Sequence, residues 1–124
     1  MIVQKKFNTY PLNLLPCGFD YPIEYLKISA NPKLVNHDKD HEFRWWFKDF
    51  GTESADLSYK YRNYDTPTLN LIPFAQNGEW IANFDGNDQS DNPKVVVVDH
   101  GDLPFHMIFE DFSGWLTKAE QDYW

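Results

Sequence analysis

One cysteine, Cys17, stands in 124 residues, which excludes an internal disulfide framework and fits a reducing compartment. No apolar segment approaches the roughly 20 residues needed to cross a bilayer. Residues 1–20 carry Lys5 and Lys6, yet Asn8, Pro11, Asn13 and Pro16 interrupt any apolar core that a secretory signal would need. The expectation is a cytoplasmic chain. Basic residues are also scarce in the second half. Residues 1–78 balance nine acids with nine Lys/Arg, whereas residues 79–111 hold eight acids against Lys94 alone. A region of that sign repels a phosphate backbone, so direct nucleic-acid binding is not expected. It attracts a basic partner, or it simply keeps the protein in solution.

What the chain has in quantity is aromatic side chains: five Trp, seven Tyr and ten Phe, 18% of the residues. At this length one domain, spanning 1–124, is expected to bury about two-thirds of its unfolded surface. Leu69 to Phe84, LNLIPFAQNGEWIANF, is the centre of the pattern. A strand opens at Leu69, Leu71 and Ile72, and Pro73, lacking an amide donor, is expected to break a central ladder. Asn77-Gly78 marks a turn. Trp80, Ala82 and Phe84 then alternate with Ile81, Asn83 and Asp85, a period-two pattern. The β-branched run Val95–Val98 reads as a buried strand, and Phe105, Met107 and Phe109 give a last one.

Upstream, Pro22 suits the start of a short helix over about 22–30, with Ile23, Leu26, Lys27 and Ala30 at helical spacing and Pro32 stopping it. Tyr10 to Cys17 reads as an extended loop. In FRWWFKDF, Phe43, Trp45 and Phe47 share one strand face and Arg44, Trp46 and Lys48 the other. Trp46 is the aromatic most suited to a surface or partner contact. Leu57, Tyr59 and Tyr61 alternate with Ser58, Lys60 and Arg62, which predicts a further strand. At the C-terminus Phe112, Trp115, Leu116, Ala119 and Tyr123 make one apolar helical stripe, with Asp111 or Ser113 as the cap. The ingredients predict an α+β domain. Its sheet, largely antiparallel or mixed and of about five to six strands, is covered by an N-terminal and a C-terminal helix.

Chemistry is thinly represented. His37 and His41 stand at i,i+4 with Asp38 and Asp40 between, but two imidazoles do not make a zinc site. Asp85, Asn87 and Asp88 supply oxygen donors without the order of a calcium loop. No metal or cofactor is expected. Asp99 beside His100, with Asp85 or Asp88 as a second acid, is the strongest general-base pattern, and no motif supplies a nucleophile. A strand-end histidine with structural hydrogen bonds accounts for His100 more simply.

Several of these pieces occur together in an order that resembles a known family. Leu71-Ile72-Pro73-Phe74-Ala75, Gly78-Glu79, Phe84-Asp85, Val97-Val98-Asp99-His100 and Phe112-Ser113-Gly114-Trp115-Leu116 are similar to the segments of the SMI1/KNR4 (SUKH) superfamily. Gly18 to Pro22, with Tyr25-Leu26, looks like its first helix. The chain departs at Gly78-Glu79, where many members carry Gly-Asp, and at Asn31-Pro32, where an Asn-Gly-Gly segment is usual.

The resemblance implies a non-enzymatic protein-binding domain, like the bacterial immunity proteins that neutralise a cognate toxin domain of nuclease or deaminase type. The alternative it carries is a regulatory or scaffold protein linked to cell-wall assembly. A small metal-dependent hydrolase around His100, Asp99 and Asp85 is the remaining enzyme reading. For a basic protein partner the candidate contacts are Trp46, Glu79, Trp80, Asp85, Asp88 and Asp102, on an acidic surface expected to be continuous over residues 79–111.

Overall fold

The computed structural model describes residues 6–35, 43–62, 70–101 and 106–121. Its sheet is assembled from β1 (Trp46–Phe47), β2 (Leu71–Asn77), β3 (Trp80–Asp85), β4 (Val95–Asp99) and β5 (His106–Phe109). They lie side by side in chain order, every neighbouring pair antiparallel. The expected α+β class holds, with five strands and helices flanking the sheet. Such a meander follows from short connections, which let each strand pair with the one before it.

The β2–β3 connection is the two-residue Gly78-Glu79, closed by the Asn77–Trp80 pair. Gly78 supplies the positive φ of 61° that this tight turn requires. Pro73 does not end the ladder as expected. It pairs with Asn83, and the register shifts between Pro73 and Ala75. Strand β1 pairs only with Gln76 and Ala75, so among the described residues Pro73 has a strand neighbour on one side alone, where a missing donor is tolerated. The bulge also turns Ala75 to the side that Ile72 and Phe74 share, and all three enter the main core.

Helices α1 (Ile23–Ala30) and α3 (Phe112–Glu120) cover that side. Asp111 is the N-cap of α3, its Oδ1 accepting the Gly114 amide at 2.8 Å. The stripe Phe112, Trp115, Leu116 and Ala119 is buried as the spacing predicts; Tyr123 lies outside the described residues. Aromatic rings build the core. Phe74 stacks on Phe84 at 4.2 Å between centroids, and Trp115 and Tyr25 meet them edge-on at 4.8 Å and 5.0 Å. The buried face of α1 is not the expected one. Tyr25 and Ile28 point inward, whereas Ile23 and Leu26 are exposed. Tyr25 wins because its ring reaches Phe74, Phe84 and Phe112 together.

The strand expected over Leu57, Tyr59 and Tyr61 is instead helix α2 (Glu53–Lys60). Thr52 caps it, its hydroxyl accepting the Ala55 amide, and Glu53 and Asp56 occupy the first turn where the helix dipole favours them. Over Tyr10–Cys17 the extended loop holds one 3-10 turn, Leu12–Leu14. Beyond the core, Leu71, Val96 and Val98 form a smaller apolar cluster on the opposite sheet face. No helix among the described residues is long and apolar enough to cross a membrane.

Candidate partner-binding surface

The register sets which side chains share a surface. Trp46, Gln76, Ile81 and Val98 form one row across β1 to β4. On antiparallel strands directly paired residues point to the same face, and this row lies opposite the helix-covered core. Trp46 keeps 49% of its surface exposed at the β1 edge. Its neighbour Gln76 is fixed from two sides: Nε2 donates to the Gly78 carbonyl at 2.8 Å, and Oε1 accepts from Lys48 Nζ.

Lys48 is only 5% exposed, and Ser54 Oγ accepts its ammonium at 2.8 Å as well. Burial lowers its pKa from 10.5 to about 8. The ammonium thus joins the N-terminal turn of α2 to β2 and holds the platform beside Trp46. Lys48 shares the Trp46 face, as the alternation predicts, but is enclosed there by α2.

Glu79 is exposed at the tip of the β2–β3 hairpin, and its carbonyl accepts the His100 amide at 2.9 Å. The Glu79 carboxylate lies over Gly101, where a side chain would displace it. Trp80 pairs with Asp99 and is half-buried, leaning onto the core side of the sheet. Trp46, Glu79 and Trp80 therefore share one end of the sheet, the two indoles on opposite faces. Asp102 lies outside the described residues.

Asp85 and Asp88 stand at the other end, five residues along β3 from Trp80 and hence roughly 17 Å away. Both are occupied locally. Asp85 Oδ1 accepts the Asn87 amide at 3.0 Å, and Asp88 accepts the Ser90 and Lys94 amides at 3.0 Å each. Lys94 Nζ lies 3.7 Å from the Asp88 carboxylate. Burial alone pushes the Asp88 carboxyl up, but the Ser90 and Lys94 hydrogen bonds and the lysine charge outweigh it and hold it below the usual range. Asp111 caps α3 at this same end and accepts the Asn92 amide group at 3.2 Å. Glu24 is raised by burial first and then by Glu120 and Asp111 nearby. The described carboxylates of residues 79–111 thus divide between two ends and do not form the continuous patch expected.

The acid–base set does not assemble. Asp99 Oδ1 accepts the Gly101 amide at 2.9 Å, and His100 is exposed with Asp85 at the far end of the neighbouring strand. Among the described residues no group of three or more His, Cys, Asp or Glu is placed to hold a metal ion. The His37–His41 pair, with Asp38 and Asp40, lies outside them. What sequence reasoning missed is a groove of about 210 Å³ beside α2, between Leu57, Tyr61 and Arg62 on one side and Pro73 and Ile81 on the other, with His100 at its end. The signal for it was present: Leu57 and Tyr61 are also i,i+4, after a Thr52 cap.

Comparison with known proteins finds no matching family model, no matching curated protein and no matching solved structure.

Proposed function

We propose that this chain is a non-enzymatic, cytoplasmic protein-binding domain of the SUKH type, an immunity protein that occludes a basic toxin domain of nuclease or deaminase kind. The observation that carries the reading is Trp46, a half-exposed indole on a buried platform, at the same end of the sheet as the Glu79 carboxylate. Large aromatics of this kind are the usual anchors of protein interfaces. A carboxylate at the rim steers a cationic partner onto them. The family-like segments also fall on separate elements, Leu71–Ala75 on β2, Gly78-Glu79 at the hairpin, Phe84-Asp85 on β3, Val97–Asp99 on β4 and Phe112–Leu116 on α3. That agreement supports the resemblance without depending on the acidic stretch as a whole. Asp85 and Asp88, at the other end of the sheet and hydrogen-bonded locally, are not needed by this reading.

The test is affinity capture with the tagged chain from its source cell, scored on the products of the genes beside its own. Capture of a basic neighbour that is lost with Trp46→Ala and with Glu79→Lys, but kept with Asp91→Lys at the far end, is the expected result. An unchanged set of captured proteins in both hairpin-end variants overturns it.

A further inference from the structure

Helix α2 presents Glu53, Asp56, Leu57, Lys60 and the capping Tyr61 to solvent. Leu57 is 48% and Tyr61 52% exposed, although both border the groove over Pro73 and Ile81. The charges are ordered along the helix. Glu53 and Asp56 stand in its first turn, and Lys60 and Arg62 at or beyond its last. None of Glu53, Asp56 and Lys60 forms an ion pair among the described residues.

We propose that α2 is a self-association surface. Two copies of the chain pair about a two-fold axis, their α2 helices antiparallel, with Leu57 meeting Leu57 and Glu53 of each copy facing Lys60 of the other. Four observations select a second copy as the occupant. The acid-to-base order of α2 is complementary to itself only when reversed, which is what a two-fold axis imposes. Residues 53 and 60 lie one turn to either side of Leu57, so the same axis that superposes the leucines brings both charge pairs together.

The chain carries a formal charge of −8, yet Glu53, Asp56, Lys60 and Arg62 cancel. Among the described residues the carboxylates of 79–111 stand at the two ends of the sheet, so the charge-balanced α2 face adds no repulsion between like-charged copies. The groove beside α2, about 210 Å³, has room for one apolar side chain from the facing helix.

An eight-residue helix offers less area than the roughly 1,200 Å² of a standard interface. The dimer is therefore weak and concentration-dependent. This association does not rest on the partner reading, although its groove shares Ile81 with the Trp46 row and ends at His100 beside Glu79.

Sedimentation equilibrium from about 10 μM to about 1 mM, the range of a small interface, reads the outcome directly. The expected mass rises with concentration from the 14.7 kDa of one chain towards twice that value. Leu57→Lys abolishes the rise. Glu53→Lys and Lys60→Glu each weaken association about tenfold, since each turns two attractive pairs into repulsive ones. The double variant Glu53→Lys/Lys60→Glu restores it. Circular dichroism verifies that each variant, altered only at exposed positions, is folded. A mass of one chain at every concentration, a dimer that survives Leu57→Lys, or a charge swap without recovery overturns the proposal.

Discussion

Replacing Lys48 by Met is expected to stabilise the protein at neutral pH, and to do so less as the pH rises. The ammonium sits in an enclosed site with Ser54 and Gln76 as its neutral acceptors, and burial lowers its pKa from 10.5 to about 8. At about 1.4 kcal/mol per pK unit, holding the charge there costs on the order of 3 kcal/mol at pH 7. Met has similar length and no charge. Its substitution forfeits two hydrogen bonds, about 1 kcal/mol net because exposed Ser54 and half-buried Gln76 can turn to water. The variant is therefore about 2 kcal/mol more stable at pH 7.

Between about pH 8 and pH 10.5 the unfolded chain holds the Lys48 proton that the folded chain has released. Stability of the parent thus climbs with pH across that window. By pH 9.5 roughly 2 kcal/mol of the cost has gone, and the two proteins converge. Burial raises the Tyr10 and Tyr21 phenols well above their usual 10, so their contribution begins to fall as the pH nears 10, equally in both proteins, and cancels from the comparison. Urea unfolding of both proteins at pH 7 and pH 9.5 measures the difference. A Met variant less stable than the parent at pH 7, or a gap that does not change with pH, would refute the argument.

Two further outcomes follow from local geometry. Thr52→Ala removes the side-chain acceptor for the Ala55 amide and should cost about 1 kcal/mol in urea unfolding, with Thr52→Ser close to neutral. Asp88 has its carboxyl below the usual range, so its contribution is present above the unfolded value of 3.8 and lost as the pH falls through the folded one. Asp88→Asn should thus be destabilising at pH 7 and nearly matched to the parent in acid; a deficit of equal size at both pH values contradicts the assignment.

The parts of the fold that could be read in advance are those with one dominant period. Val95–Val98 and the Phe112–Ala119 stripe admit a single interpretation, and both elements stand where the pattern puts them. Leu57 to Tyr61 satisfies two periods at once, because residues 57 and 61 align on a helix while 57, 59 and 61 align on a strand. There the local hydrogen bond from the Ala55 amide to Thr52 decides, and alternation does not. For α1 the spacing of Ile23 and Leu26 misleads, since the inward face is chosen by Tyr25 finding three distant rings.

The same distinction governs the surface. Trp46 is legible as the outward residue of an amphipathic alternation, and its exposure agrees. Lys48, two residues on, is drawn inward by Ser54 and by Gln76, the latter 28 positions away, contacts no local pattern reports. The acidic stretch was continuous in sequence and is divided in space. An extended strand advances about 3.3 Å per residue, so Glu79, just before β3, and Asp85, its last residue, stand at opposite ends of it.

The hairpin-end claim is tested most directly by hydrogen exchange on the chain alone and with its captured partner. New amide protection over residues 44–48 and 76–81 is the predicted footprint. Protection confined to residues 85–94, with the Trp46 edge unchanged, would contradict it.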